Sequence, residues 1–198
     1  MNNTATLPVS TARRSSLTRL YLSRGVLAIA WALAFAAAHD TLDAVAVILL
    51  VSYPLIDAVS SLIDYVAVPE GPERRVTALN GVLSAVVAVA LGFAGTAGGA
   101  AEVLGVFGVW AALSGAAQLA VGLRRRGIVF GKQWPTLISG GLSFLVGATY
   151  VAQAAGDSPS LDVLSIYATG GGAFFIAQAA LLVWKARSHR SREQSTAA

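Results

Sequence analysis

The chain has 198 residues, of which 56% are hydrophobic and 12% are charged, and its formal net charge is +4. An ordinary soluble surface needs roughly twice this share of charged residues, so the composition excludes a soluble globular domain and indicates an integral membrane protein. The sequence contains no cysteine, which excludes disulfides, thiolate metal sites and cysteine nucleophiles.

Six hydrophobic segments, each about as long as the 20 or so residues that cross a bilayer core, predict an all-α protein with six transmembrane helices. The segments are residues 17–38, 41–66, 76–95, 101–123, 134–155 and 160–185. Short links join them in pairs and predict helical hairpins at 17–66, 76–123 and 134–185. We expect these hairpins to form a membrane domain at 17–188, between a disordered basic N-terminal extension at 1–16 and a disordered C-terminal tail at 189–198.

The distribution of charge predicts the orientation. All 14 lysines and arginines belong to the termini, the two longer links or their flanks, whereas the short links carry acids and no basic residue. By the positive-inside rule, both termini are predicted to be cytoplasmic and the short links to face outward. The basic start also resembles a signal peptide, but the first segment recurs as part of an internal repeat, which favours a retained helix.

The repeat is visible in three stretches that begin the hairpins: LSRGVLAIAWALAF, ALNGVLSAVVAVALGF and LISGGLSFLVGATYV. Their aligned glycines, at intervals of 56 and 60 residues, are Gly25, Gly81 and Gly141. In the returning helices, Gln118 and Gln178 correspond at an interval of 60 residues. The sequence therefore predicts three repeated hairpins, which can close around a pseudo-threefold axis.

The six-helix layout, the glycine-initiated hairpins and the stretch KQWPTLISGGLSFLVGATYV resemble the HdeD-like acid-resistance membrane protein family of bacteria. Within that stretch, the resemblance depends on Trp134-Pro135, Leu137 and Gly140, and overall it covers roughly residues 20–187. It implies a multi-pass protein of the bacterial plasma (inner) membrane that is linked to acid stress and has an undefined molecular activity. It supplies no catalytic or binding residues.

Two acids, Asp57 and Asp64, interrupt the second segment. At a rise of about 1.5 Å per residue, Asp57 lies about 5 Å past the bilayer midplane, whereas Asp64 reaches the interface and can stay hydrated. An aspartate near the helix centre costs about 2.5 to 3.5 kcal/mol on insertion, so Asp57 should face protein partners. Since Gln118 and Gln178 lie at a similar depth, we predict an intramembrane polar cluster of Asp57, Gln118 and Gln178.

This cluster has two interpretations. Side-chain hydrogen bonds between transmembrane helices contribute about 0.6 kcal/mol each and fix the helix register, which is a structural role. A buried carboxyl is also a candidate protonation site. We also predict an outer acidic cluster of Asp43, Glu102 and Asp162, which has two interpretations as well. These residues either stabilise helix N-termini or lose charge together as the external pH falls.

Glycines mark two further segments. In the fourth, Gly108, Ala111, Gly115 and Gly122 recur on one helical face, which lets helices approach closely. In the sixth, residues 170–172 are three consecutive glycines, which indicate close helix packing or, alternatively, an unwound helix at a substrate site. Packing is the preferred interpretation.

We expect a structural or stress-protective membrane protein and not an enzyme, because no nucleophile, metal-ligand set or acid–base pair is recognisable. The alternative is a small proton-coupled transporter or channel that uses Asp57. No cofactor and no nucleic-acid partner are expected. The expected partner is the lipid bilayer, with anionic lipids bound through Arg124, Arg125 and Arg126, and self-association into a homo-oligomer is left open.

Overall fold

The computed structural model describes residues 11–67, 71–124 and 134–196, which form α-helices and the turns between them. The helices are α1 (Thr11–Ala36), α2 (Ala44–Ala67), α3 (Pro72–Ala97), α4 (Ala100–Arg124), α5 (Trp134–Ala154) and α6 (Asp162–Thr196). Each contains a stretch long and apolar enough to cross a membrane. The chain is therefore an all-helical, multi-pass membrane protein, as its composition predicted.

The first and last helices are longer than the hydrophobic segments that predicted them. α1 begins at Thr11 and α6 continues to Thr196, so both extend into the terminal segments, 1–16 and 189–198, that were expected to be disordered. Neither TARRSS nor SHRSREQST contains a proline or glycine that would end a helix. The other helix ends lie within about one turn of their predicted positions.

The described residues form two compact units. The smaller unit contains most of α1, up to Ala30, and most of α6, from Ala168 onward. The larger unit, Trp31–Tyr167, contains the end of α1, the whole of α2 to α5 and the start of α6. Within it, α2 packs along α3 and α4 along α5 over longer stretches than α3 packs against α4.

Glycines bring α4 and α5 into contact backbone to backbone. A Cβ added to Gly115 would lie 2.4 Å from the amide nitrogen of Phe144, and one added to Gly147 would lie 2.4 Å from that of Ala112. Real Cβ atoms essentially never come this close to another heavy atom. The small-residue face predicted on the fourth segment is thus confirmed as a close packing surface.

The smaller unit also contains a close helix contact at glycines. A Cβ on Gly25 of α1 would lie 2.9 Å from the carbonyl oxygen of Gly172 of α6, and a Cβ on Gly172 would lie 2.8 Å from that of Gly25. The helix α6 is continuous through residues 170–172. The glycines of the sixth segment therefore do not mark an unwound helix, and Gly172 provides close packing.

Aromatic rings fill the core of the larger unit. Trp31 stacks on Phe35 at 4.9 Å between ring centroids and lies 4.5 Å from Tyr53. Tyr53 in turn lies 5.9 Å from both Phe107 and Trp110. Phe35 and Phe107 are completely buried. This aromatic core surrounds the polar groups described next and holds α1, α2 and α4 in contact.

Candidate functional site

Asp57 lies on the protein-facing side of α2. It lies within the membrane-spanning stretch Ala44–Ile63, three residues after Pro54. The Pro54 side chain is fully buried in the protein. Val59 and Leu62, on a different face of the helix, are more than half exposed. The helix therefore has an apolar outer face and a polar inner face.

Two side chains of α3 donate hydrogen bonds to one oxygen of Asp57. The Asn80 amide nitrogen lies 2.8 Å from Asp57 Oδ2, and the Ser84 hydroxyl lies 2.7 Å from the same atom. Asn80 also donates to Ser61 Oγ at 3.0 Å. Because Asn80 and Ser84 are four residues apart, they lie on one face of α3 and reach α2 together.

Trp110 extends this network to α4. Its indole nitrogen lies 3.0 Å from Ser84 Oγ and can only donate a hydrogen bond. Ser84 is completely buried, and its hydroxyl has a single proton, which it gives to Asp57. The direction of the chain is therefore fixed: Trp110 donates to Ser84, and Ser84 donates to Asp57.

Hydrogen-bond donors from α3 stabilise the Asp57 carboxylate. Asp57 Oδ2 already accepts from two donors.

The two glutamines of the predicted cluster lie in different surroundings. Gln118 belongs to α4 at its contact with α5. A Cβ added to Gly140 of α5 would lie 2.9 Å from the Gln118 Cβ. Gln178 belongs to the smaller unit. The hydrogen bonds found for Asp57 come from Asn80 and Ser84 instead, and the cluster of Asp57 with the two glutamines stays a prediction.

Sequence reasoning missed Asn80 and Ser84, although a signal was present. Asn80 is the only asparagine after the first three residues of the chain, and it lies in an otherwise apolar segment. An amide in a transmembrane helix is as much in need of a partner as a carboxyl, and Ser84 lies one turn further along the same face. The internal repeat predicted polar partners on the even-numbered helices, whereas these donors belong to α3.

A second polar chain lies in the same unit. Ser143 Oγ on α5 donates to the Ala111 carbonyl oxygen at 3.0 Å, so the Tyr167 hydroxyl, 2.8 Å from Ser143 Oγ, acts as the donor to it. Tyr167 also packs against Tyr53 of α2, at 6.5 Å between ring centroids. Hydroxyl groups of three helices thus accompany the carboxyl inside the core.

Two of the outer acids stabilise helix starts. Asp43 Oδ1 accepts hydrogen bonds from the amides of Val45 and Ala46 at 2.9 and 3.0 Å, which is the geometry of an N-cap on α2. Glu102 Oε2 accepts from the Gly99 amide at 2.8 Å, at the start of α4. Their geometry matches the helix-terminus interpretation.

Asp162, the third outer acid, is the first residue of α6 and has an additional partner. Ser160 Oγ donates to its Oδ2 at 2.6 Å, and His39 Nε2 lies 2.9 Å from its Oδ1. His39 is largely buried and rests against the ring of Phe35 at 5.7 Å. This contact was not predicted from the sequence. A common outer cluster of three acids stays a prediction.

Asp64 and the three arginines predicted to contact anionic lipids lie at or beyond the ends of described helices. Arg124 is exposed at the end of α4. Arg125 and Arg126 lie outside the described residues, as does the side chain of Asp64. The anionic-lipid contact of the three arginines therefore stays a prediction.

Comparison with protein-family models, with curated proteins and with solved structures gave no match. The resemblance to the HdeD-like family is for this reason a prediction from the sequence alone. Function has to be argued from the geometry of the Asp57 network.

Proposed function

We propose that the chain is a structural, stress-protective component of the bacterial inner membrane, linked to acid stress, with both termini cytoplasmic and no catalytic activity. The observation that carries the structural part is the hydrogen-bond chain from Trp110 through Ser84 to Asp57, which joins α4, α3 and α2. The repeat of three hairpins and the positive-inside pattern support the topology. The link to acid stress rests on the resemblance to the HdeD-like family.

Physical reasoning favours a structural role for this network. Lipid tails are as apolar as leucine, so transmembrane helices associate through close packing and hydrogen bonds and not through a hydrophobic drive. The chain combines both, since glycines bring α4 onto α5 and the Asp57 network joins α2, α3 and α4. A carboxylate that accepts two directed hydrogen bonds fixes the rotation and register of two helices.

Two substitutions at Asp57 separate geometry from charge. Asparagine keeps an acceptor oxygen for Asn80 and Ser84, so Asp57→Asn should retain most of the stability. Leucine removes the acceptor that Asn80 and Ser84 share, and Asp57→Leu should destabilise the protein by about 1 to 3 kcal/mol. Unfolding of the purified protein in mixed detergent micelles measures both.

Proton flux tests the alternative, a small proton-coupled transporter or channel that uses Asp57. One observation favours that alternative: the Tyr167–Ser143 hydrogen bond provides further polar hydroxyl groups in the same unit as Asp57. We expect wild-type protein and Asp57→Asn to show equal proton leak in liposomes that carry a pH gradient. A flux that is lost in Asp57→Asn and retained in Asp157→Asn, which removes an exposed acid, would establish the transporter instead.

The stress link has its own test. A bacterial strain that lacks the chain should lose viability on acid challenge, and wild-type protein should restore it. If the Asp57 network is structural, Asp57→Asn should restore viability equally well, whereas Asp57→Leu should fail in proportion to its lower amount in the membrane. Unchanged acid survival of the deletion strain would contradict the link.

A further inference from the structure

The backbone hydrogen-bond ladder of α2 is interrupted at Pro54, which lies inside the helix three residues before Asp57. Proline has no N–H, so the carbonyl of Leu50, four residues earlier, lacks the donor that any other residue at position 54 would supply. Leu50 and Pro54 are both fully buried, so protein side chains surround this turn. A missing backbone bond in the middle of a helix is where helices bend.

Two side chains bind the carbonyl group next to this interruption. The Trp31 indole N–H donates to the Leu49 carbonyl oxygen at 2.8 Å, and the Ser52 hydroxyl donates to the same oxygen at 2.7 Å. Trp31 belongs to α1 and is only 5% exposed, so the protein around it holds its donor in place. Neighbouring helices and serine side chains commonly stabilise a transmembrane helix around an internal proline.

Tyr53, the residue before the proline, contacts two tryptophans. Its ring centroid lies 4.5 Å from that of Trp31 on α1 and 5.9 Å from that of Trp110 on α4. The indole N–H of Trp31 binds α2 before Pro54, whereas the N–H of Trp110 reaches Asp57, after Pro54, through the hydroxyl of α3. An indole donor from a different helix therefore holds each half of α2.

We propose that α2 has a hinge at Pro54 and that Trp31 fixes its angle and thereby positions Asp57. This inference rests on the structural role proposed for the Asp57 network and names a residue that controls it. Asp57 and Trp31 bind on opposite sides of the hinge, so a change of angle at Pro54 moves the carboxylate relative to α3. Hydrogen bonds of 2.7 and 2.8 Å to that carboxylate leave little room for such a movement. Trp31 acts on Asp57 through the backbone of α2 and is a positioning residue.

Hydrogen exchange of the Asn80 side-chain amide tests the proposal, because this amide donates to Asp57. The other asparagines are among the first three residues of the chain, so asparagine-selective isotope labelling identifies the Asn80 signal by NMR in micelles. Trp31→Phe removes the indole N–H and keeps an aromatic ring against Tyr53. We expect the Asn80 amide to exchange at least several-fold faster in this variant. Trp184→Phe is the matched control, because Trp184 is 65% exposed, and it should leave the exchange unchanged.

A second variant separates the lost hydrogen bond from a change of shape. Benzothienylalanine in place of Trp31 has nearly the shape of tryptophan but carries sulfur where the indole has its N–H. It should accelerate the exchange of the Asn80 amide as Trp31→Phe does. Unchanged exchange in this variant, or an equal acceleration in Trp184→Phe, would overturn the positioning role of Trp31.

Pro54→Ala tests the hinge itself. Alanine restores the N–H that the Leu50 carbonyl lacks, so the angle of α2 should no longer depend on Trp31. In the Pro54→Ala background, Trp31→Phe should therefore accelerate the exchange of the Asn80 amide little or not at all. The same acceleration in both backgrounds would overturn the hinge. Because this exchange reports on the contact with Asp57 and not on proton flux or acid survival, the hinge and the proposed function are tested separately.

Discussion

The close contact between α4 and α5 makes Gly147→Ala a strong test of the structure. The new Cβ would lie 2.4 Å from the Ala112 amide nitrogen and 2.6 Å from the Gly108 carbonyl oxygen. Ordinary contact begins at 3.4 Å, so the two backbones would have to separate by about 1 Å. Both neighbours are backbone atoms, which cannot rotate out of the way as a side chain can.

The expected cost follows from two opposing effects. Overpacking of this kind costs about 1 to 3 kcal/mol, and alanine is the better helix former by up to about 1 kcal/mol. Gly147→Ala should therefore lower the free energy of unfolding by about 1 to 2 kcal/mol. Gly141→Ala is the matched control on the same helix, because its new Cβ would lie 3.9 Å from Leu119 Cδ2, which is ordinary contact. It should be neutral or stabilising by up to about 1 kcal/mol.

Unfolding in mixed micelles with a rising fraction of dodecyl sulfate measures this difference, and the four tryptophans of the chain provide a fluorescence signal. The midpoint for Gly147→Ala should fall below that of wild type, and the midpoint for Gly141→Ala should not. Equal midpoints for the two variants would show that α4 and α5 do not meet backbone to backbone at Gly147, and the reasoning would be refuted.

Three further substitutions examine single contacts. Trp110→Phe keeps the aromatic packing but removes the donor to Ser84, so it should cost about 1 kcal/mol in the same unfolding assay; a neutral result would argue against the directed chain. Asp43→Ala removes the N-cap of α2 and should cost about 1 kcal/mol, with faster hydrogen exchange of the Val45 amide; unchanged exchange would contradict the cap. His39→Gln removes the contact of the imidazole with Asp162, which is an ion pair only when the imidazole is protonated and in which the acid is 67% exposed; it should cost less than about 1 kcal/mol, and a larger cost would point to the packing of His39 on Phe35.

The number, type and order of the helices followed from the sequence because a membrane leaves few options. Backbone groups must be satisfied within each segment, so an apolar stretch of about 20 residues is a helix. The same reasoning gave no information on where α1 begins or α6 ends. Their polar ends, from Thr11 and up to Thr196, are helical without being apolar, and hydropathy does not detect such extensions.

For the polar site, the sequence identified Asp57 but not its hydrogen-bond partners. The rarity of a carboxyl at mid-membrane identified Asp57, and the cost of inserting it indicated that it faces protein and not lipid. Its partners depend on which helices pack together, which a single sequence does not state. Repeat symmetry suggested glutamines of the even-numbered helices, but α2 packs along α3, and α3 supplies Asn80 and Ser84.

The glycine contact between α1 and α6 has a consequence for how the chain is made. Synthesis proceeds from the N-terminus, so α2 is already present when α3 emerges, and α4 is present when α5 emerges. For α1 the order is reversed, because Gly172, which meets Gly25, is translated 147 residues (172 − 25) after it. Until then the Gly25 face of α1 lacks this partner, and a nascent chain released before α6 would leave that face available to quality-control proteases of the membrane.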